Sequence, residues 1–241
     1  MKYTFKPSIG MTLATLIVMA IFIKFGLWQY NKAAAKQALQ KQLEISLQQP
    51  ATGLPATPND IETLRYKRVK FSGVYVPRYQ VLLDNQVENT VVGYHVITPL
   101  ALSGTQQVIL VNRGWVAAVS NRQAPDIVTP TGEQQIEGDI AIPLAKFFTL
   151  EAPPPASNTW QPVWQNIDMK RYAKIVPFEI KPYIVRLNKT SVAGGYSRNW
   201  LNPGDRVATH LGYAYQWFGF ALTLFFIYLV LNIKKVKKVI L

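Results

Sequence analysis

Cysteine is absent from this 241-residue chain, and histidine occurs only twice. Without cysteine there is no disulfide, no thiolate nucleophile, no CxxC redox pair, no cysteine-ligated zinc or copper and no covalent c-type haem attachment. The absence does not locate the protein, because many secreted proteins also lack disulfides. Two histidines leave little for a metal cage. The motifs HExxH, GxSxG, GxGxxG and the P-loop are all missing. Asp84 and Glu88 could form a carboxylate pair, but two acids bounding a hairpin turn more often face solvent, and spacing alone carries little weight. The chain is therefore not expected to be an enzyme.

Acidic residues are scarce, and they are missing altogether from the two ends. The chain has 26 Lys+Arg against 13 Asp+Glu, a net charge of +13. Residues 1–30 carry Lys2, Lys6 and Lys24, and residues 211–241 carry Lys234, Lys235, Lys237 and Lys238, with no acid in either stretch. The high pI is thus largely a property of the ends. A nucleic-acid surface would need a basic stripe interleaved with aromatics inside a folded domain. The only local candidate, Arg65-Tyr66-Lys67-Arg68-Val69-Lys70, leads into a strand pattern and reads as one solvated face. No nucleic-acid partner is expected. With 49% apolar and 16% charged residues, the chain is too hydrophobic for disorder.

Two long apolar runs are present. Ile9 to Trp28 is interrupted only by Thr12, Thr15 and Lys24. At about 1.5 Å per residue it crosses a hydrocarbon core of roughly 30 Å. Lys24 sits about one turn from its end and can snorkel, and Trp28 and Tyr30 stand where an interfacial belt would. A cleaved signal peptide is the alternative, since Ala33-Ala34-Ala35 offers a small-residue site, but the run exceeds a signal core of roughly 7–15 residues. The second run, residues 211–233, carries no charge, and the lysine-rich residues 234–241 follow it as a positive-inside signal. Lys32, Lys36 and Lys41 argue the other way. The tail's charge density outweighs them, since long domains cross largely regardless of charge. The expected layout is a cytoplasmic N-terminus (1–8), a span (9–28), an extracytoplasmic domain (29–210), a second span (211–233) and a basic cytoplasmic tail (234–241). No Arg-rich presequence precedes the first span. A multi-pass protein of a bacterial inner membrane, with its central domain in the periplasm, is the expectation.

Within the central domain, residues 31–49 carry Leu39, Leu43 and Leu47 on one helical stripe and extend the first span. Prolines and Gly53 then form a linker over 50–60. β-Branched and aromatic enrichment predicts strands over 69–76, 80–84, 91–98, 107–115, 135–142 and 183–188. The stretch 108–111 is apolar throughout and should be central. Pro153-Pro154-Pro155 predicts a loop, and residues 168–174 a short helix with Asp168 as N-cap. The fold class expected is a membrane protein with two transmembrane helices flanking a mostly β, α+β domain, either a small barrel or a sandwich.

Three places could carry binding chemistry. Arg113, in Asn112-Arg113-Gly114-Trp115, can hold a carboxylate bidentately, a haem propionate included. The residues alone favour a structural arginine bonded to loop carbonyls, with Trp115 in the core, because buried turns often need such donors. His95 reads as a hydrogen-bonded strand residue. His210 stands at the outer mouth of the second span, and His210, Ala214, Trp217 and Ala221 share one helical face. Gln216 lies about 9 Å deeper. Two small residues and a Trp beside an imidazole could accept a flat apolar ligand, and an imidazole is a common haem iron ligand. An interfacial anchor is the alternative. Trp28 and Gln29 end the first span at the same membrane face.

Four segments resemble the surfeit-locus-one (Surf-one) family of cytochrome c oxidase assembly factors. Gly26-Leu27-Trp28-Gln29 is similar to its Gly-x-Trp-Gln, and Val111-Asn112-Arg113-Gly114-Trp115 to its Val-Asn-Arg-Gly-Trp. Gly93-Tyr94-His95-Val96-Ile97-Thr98-Pro99-Leu100 resembles its Gly-Tyr-x-Val-x-Thr-Pro-Leu. His210-Leu211-Gly212-Tyr213-Ala214-Tyr215-Gln216-Trp217-Phe218 resembles its His-Leu-x-Tyr-Ala-x-x-Trp-Phe. Ala208-Thr209 stand where the family usually has Asn, and Val116-Ala117-Ala118 where it commonly has Pro. The resemblance implies a non-enzymatic chaperone role in maturing the haem a-containing core subunit of haem–copper oxidase. It implies His210 as a haem a iron ligand with Trp217, Gln216, Trp28 and Gln29 nearby, and Arg113 for a propionate or for the fold. Its partners would be the oxidase core subunit, haem a synthesis enzymes and the lipid bilayer. A structural clamp on oxidase subunits that never holds haem is the alternative.

Overall fold

The computed structural model describes residues 3–119, 124–143 and 160–235. The expected Pro153–Pro155 loop and residues 236–241 of the basic tail lie outside the described residues. The chain divides into two compact units, Met1–Gln42 with Leu201–Leu241, and Leu43–Trp200.

The first unit is a helix pair. α1 (Ile9–Leu47) is a single helix of 39 residues whose last turns enter the second unit, and α3 (Val207–Asn232) has 26. Both are long and apolar enough to cross a membrane, and most of their side chains are exposed in the isolated chain. They run antiparallel, since contacts descend one helix as they climb the other. Thr12 Oγ1 meets Tyr228 OH at 2.8 Å, Phe22 meets Phe220 at 5.8 Å between centroids, and Phe25 meets Trp217 at 5.0 Å. Ala214 and Ala221 are buried, as small residues are where transmembrane backbones approach closely. Gly26 serves the same purpose on α1, because a Cβ there would sit 2.5 Å from the Phe218 ring. Two short strands, β1 (Tyr3–Phe5) and β9 (Ile233–Lys235), pair antiparallel and bring both ends of the chain to one end of the pair. Lys234 and Lys235 belong to this strand.

The second unit is a barrel, which decides between the two β architectures expected. β2 (Arg68–Tyr75), β6 (Glu133–Ala141), β8 (Ile180–Leu187), β5 (Val108–Ala117) and β4 (Val91–Leu102) follow one another, and β2 pairs back with β4 to close five strands. β3 (Val81–Glu88) extends the sheet beyond β4, and the two-residue β7 (Val163–Trp164) lies beyond β3. The pairing is mostly antiparallel, with β5–β8 and β3–β7 parallel. Closure needs Gly73, whose Cβ would strike the Leu100 side chain and the Ala101 carbonyl across the seam. Ile109 and Val111 of β5 belong to one core with Val69, Leu100, Ile140 and Val185, and Leu110 to a second with Tyr172 and Trp164. A strand buried on both faces is why 108–111 is apolar throughout. Asp84 and Glu88 both lie within β3; Glu88 directly precedes the Asn89-Thr90 turn, and Asp84 stands four residues before Glu88, so the two acids do not flank the turn as a pair.

The second core is capped by α2 (Met169–Ile175). Asp168 Oδ1 accepts from Arg171 N at 2.9 Å, as an N-cap should. Tyr172, buried on this helix, donates to the Tyr79 carbonyl at 2.8 Å, and burial pushes its phenol well above the usual range. Asp168→Ala should cost about 1 kcal/mol, a typical N-cap loss. A melting temperature lowered by about 2–4 °C is the expected reading; no shift would mean the cap is idle.

Candidate functional site

At the end of the helix pair away from β1 and β9, His210 Nδ1 lies 2.8 Å from Gln29 Oε1. The amide oxygen can only accept, so Nδ1 carries the proton and donates. In that tautomer the lone pair is on Nε2. Fixing a tautomer by a hydrogen bond to the other nitrogen is how histidine ligands are oriented for metals. Both side chains are half-buried and are held by separate helices.

Trp217, two turns below His210 on α3, is packed by Phe22 and Phe25 of α1 and by Phe220, with centroids 5.7, 5.0 and 5.8 Å away. The face His210–Ala214–Trp217–Ala221 expected on α3 is therefore the face that packs on α1. Its two alanines are buried, and Trp217 beside them is half-buried. Gln216 is exposed, because six residues from His210 at 100° each put it on another side of the helix. Trp28 is 53% exposed. The structure thus brings together His210, Gln29 and the aromatic cluster around Trp217, and leaves Gln216 and Trp28 on surfaces suited to lipid or a partner. The sequence reading missed Phe22 and Phe25, and it named Gly26 in a family motif without its packing role. The signal was available in their spacing with Gln29 along α1.

Arg113 belongs to the barrel unit and is 1% exposed. Nε donates to the Gly194 carbonyl at 2.6 Å and Nη2 to the Val128 carbonyl at 2.6 Å. Nη1 donates to Thr129 Oγ1 at 2.9 Å and, longer, to Thr98 Oγ1 at 3.4 Å. The guanidinium lies 5.1 Å from the Tyr75 ring centroid and 5.2 Å from that of Tyr196. Burial lowers its pKa, and it pushes the Tyr75 phenol up to about 12 although Arg113 and Arg198 oppose the rise. This is the structural alternative, an arginine bonded to loop carbonyls, with its donors spent inside the fold. Trp115 departs from expectation. It is half-buried on the flank of β4, where its Nε1 donates to the Gln86 carbonyl at 3.0 Å. Gly114 (φ 120°) turns the strand outward there, against the Ser197 carbonyl.

His95 sits on β4 opposite Trp115, with Asn112 Nδ2 3.5 Å from its Nδ1 and the Trp200 ring edge-on at 5.6 Å. Burial lowers its pKa to about 4, against the raising effect of Glu88 and together with the Arg186 charge. It is a neutral strand residue at pH 7. Among the described residues no cluster of three or more His, Cys, Asp or Glu could hold a metal ion.

Residues 16–222 match the SURF1 family. A "SURF1-like protein" of Rickettsia felis is 26% identical over 224 residues, covering 90% of this chain and 95% of that protein. "Surfeit locus protein 1" of Homo sapiens is 26% identical over 231 residues, covering 85% and 71%. A "SURF1-like protein" of Monosiga brevicollis reaches 31% over 143 residues, 55% of this chain and 53% of that one.

Proposed function

The chain belongs to the SURF1 family, and from that membership we propose that it is an assembly factor for haem–copper (cytochrome c) oxidase. It assists haem a insertion into, or stabilisation of, the oxidase core subunit. It works without catalysis, from a bacterial inner membrane with its barrel in the periplasm. The paired chain ends and the adjacent Lys234 and Lys235 support a shared cytoplasmic side.

The observation that carries the haem reading is the His210–Gln29 bond. It leaves Nε2 as the nitrogen free to ligate, and Gln29 as the outer partner that fixes ring and tautomer. The donor suits haem iron, for which neutral imidazole is a common axial ligand. When bound, the haem would supply iron to that nitrogen. The chain's own part is to hold the imidazole, and the Phe22–Phe25–Trp217 stack keeps the two helices in register beneath it. Arg113 supports the fold.

The test is the absorption spectrum of the full-length protein purified in mild detergent from cells making haem a. The wild type is expected to carry a haem a spectrum that His210→Ala loses, while inserting and melting as before. Gln29→Leu should retain less haem than wild type, by about 10-fold, the usual range for removing an outer partner of a ligand. Unchanged haem in His210→Ala removes the ligand assignment.

One observation favours a second reading. Ala214 and Ala221 are buried on the face of α3 that packs on α1, as suits a clamp on oxidase subunits that holds no haem. The clamp predicts capture of the oxidase core subunit that survives both His210→Ala and a block of haem synthesis. Loss of capture in either case counts against it.

A further inference from the structure

Above His210, the helix-pair unit carries cations that its acids do not match. Between residues 31–42 and 201–209 stand Lys32, Lys36, Lys41 and Arg206, against Asp205 alone. Two of these cations stand over the imidazole. On α1, the side turned to α3 runs Gln29, Ala33, Lys36, Gln40, at helical steps of four, three and four. Gln29 meets His210, Ala33 is 1% exposed, and Gln40 lies against Gly204. Lys36, half-buried, therefore stands between the level of His210 and that of Gly204.

Arg206 stands between the same two levels on the other segment. Its carbonyl accepts from His210 N at 3.0 Å, which puts it one turn above the imidazole. It is the N-cap residue of α3, at φ 69°, and its side chain makes no capping bond. Among the described residues neither Lys36 nor Arg206 has an ion-pair partner, and Asp205 pairs with neither. Two like charges beside the positive end of a helix repel one another. An anion shared between them reverses the sign of that interaction.

We propose that Lys36 and Arg206 form the carboxylate-binding end of the His210 site and hold the propionate groups of the tetrapyrrole whose iron His210 ligates. This rests on the haem-ligation reading above. The arrangement divides the work by polarity. The imidazole meets the metal at the membrane face, and the two cations meet the carboxylates one to two turns further out. Arg113 has no part in it, because its donors are already bonded inside the other unit.

The experiment titrates the full-length protein in detergent with ferric protohaem and, separately, with its dimethyl ester, which keeps the iron and macrocycle but has no carboxylates. Wild type, Lys36→Gln/Arg206→Gln and His210→Ala are compared, reading both the dissociation constant and the absorption maximum of the bound form. Wild type is expected to bind the ester about tenfold more weakly than protohaem, the range of one charge-assisted contact. The double variant should bind both probes alike, at the wild-type ester's affinity, with the absorption maximum unchanged. His210→Ala should shift the maximum for both probes and still prefer the free acid. A double variant that retains the wild-type preference for the acid overturns the propionate assignment and leaves ligation standing. A maximum indifferent to His210 removes the ligand instead. Binding of neither probe overturns both. A preference lost only when anionic lipid is added marks the cations as headgroup contacts and also overturns the proposal.

Discussion

Arg113→Met is expected to destabilise the barrel by about 3–5 kcal/mol, the range for removing one member of a buried charged network. Methionine fills much of the volume but donates nothing. It leaves the Gly194 carbonyl and the Thr129 hydroxyl facing an apolar side chain, and the Val128 carbonyl with the Tyr196 hydroxyl alone. Each buried group left unpaired costs about 1–3 kcal/mol. The packing of the guanidinium between Tyr75 and Tyr196 is lost as well. Those acceptors come from two separate loops, so the arginine ties residues 128–129 and 194 to β5. Arg113→Lys keeps the charge but not the planar fork, and should fall between wild type and Met. Thermal melts followed by near-ultraviolet circular dichroism would read this. At about 2–4 °C per kcal/mol, Arg113→Met should melt roughly 10 °C below wild type. A loss within 2 °C would show that the loops hold without it. Retained stability with lost haem would instead restore the propionate role to Arg113.

The sequence carries the strands well because each depends on its own residues. β-Branched runs mark β2, β4, β5 and β6, and Asp168 marks α2 through a bond three residues away. Closure is different in kind. Gly73 pairs with Leu102 and Leu110 with Ile184, and nothing local encodes which distant strand each one meets. The pattern therefore left barrel and sandwich equal. β1, β7 and β9 are too short for any period to register. The helix-pair site follows the same division. The placement of His210 and Gln29 at the same end of the helix pair is visible from the lengths of the apolar runs alone. That the apolar face of α3 is filled by Phe22, Phe25 and Gly26 depends on the register between the helices. Gln216 could have been set aside from its helical angle. The partners of Arg113 could not be foreseen, since Val128, Thr129 and Gly194 carry no pattern that points to an arginine.

Acid should weaken the barrel through His95. Its folded pKa is about 4 against an ordinary 6.5, so in that interval the unfolded chain holds a proton that the folded one excludes. The contribution of the neutral ring is fully present above pH 6.5 and is lost as pH falls towards 4. At 1.36 kcal/mol per unit it amounts to about 3 kcal/mol. The cause is burial: protonation would put a cation out of water against the Trp200 ring, and the attraction of Glu88, larger than the repulsion of Arg186, offsets only part of that cost. Asp139 acts in the opposite direction. Burial raises its carboxyl despite its contact with Arg186, so taking up a proton favours the folded state. The clean comparison is therefore wild type against His95→Gln, in which Asp139 and the exposed carboxylates cancel. Denaturant midpoints measured from pH 7.5 to 4.5 should fall more steeply for wild type, and the gap between the two proteins should change by about 2–3 kcal/mol across that range. Parallel curves would mean that His95 titrates near its ordinary value, and that the Trp200 contact opens to water before the barrel unfolds.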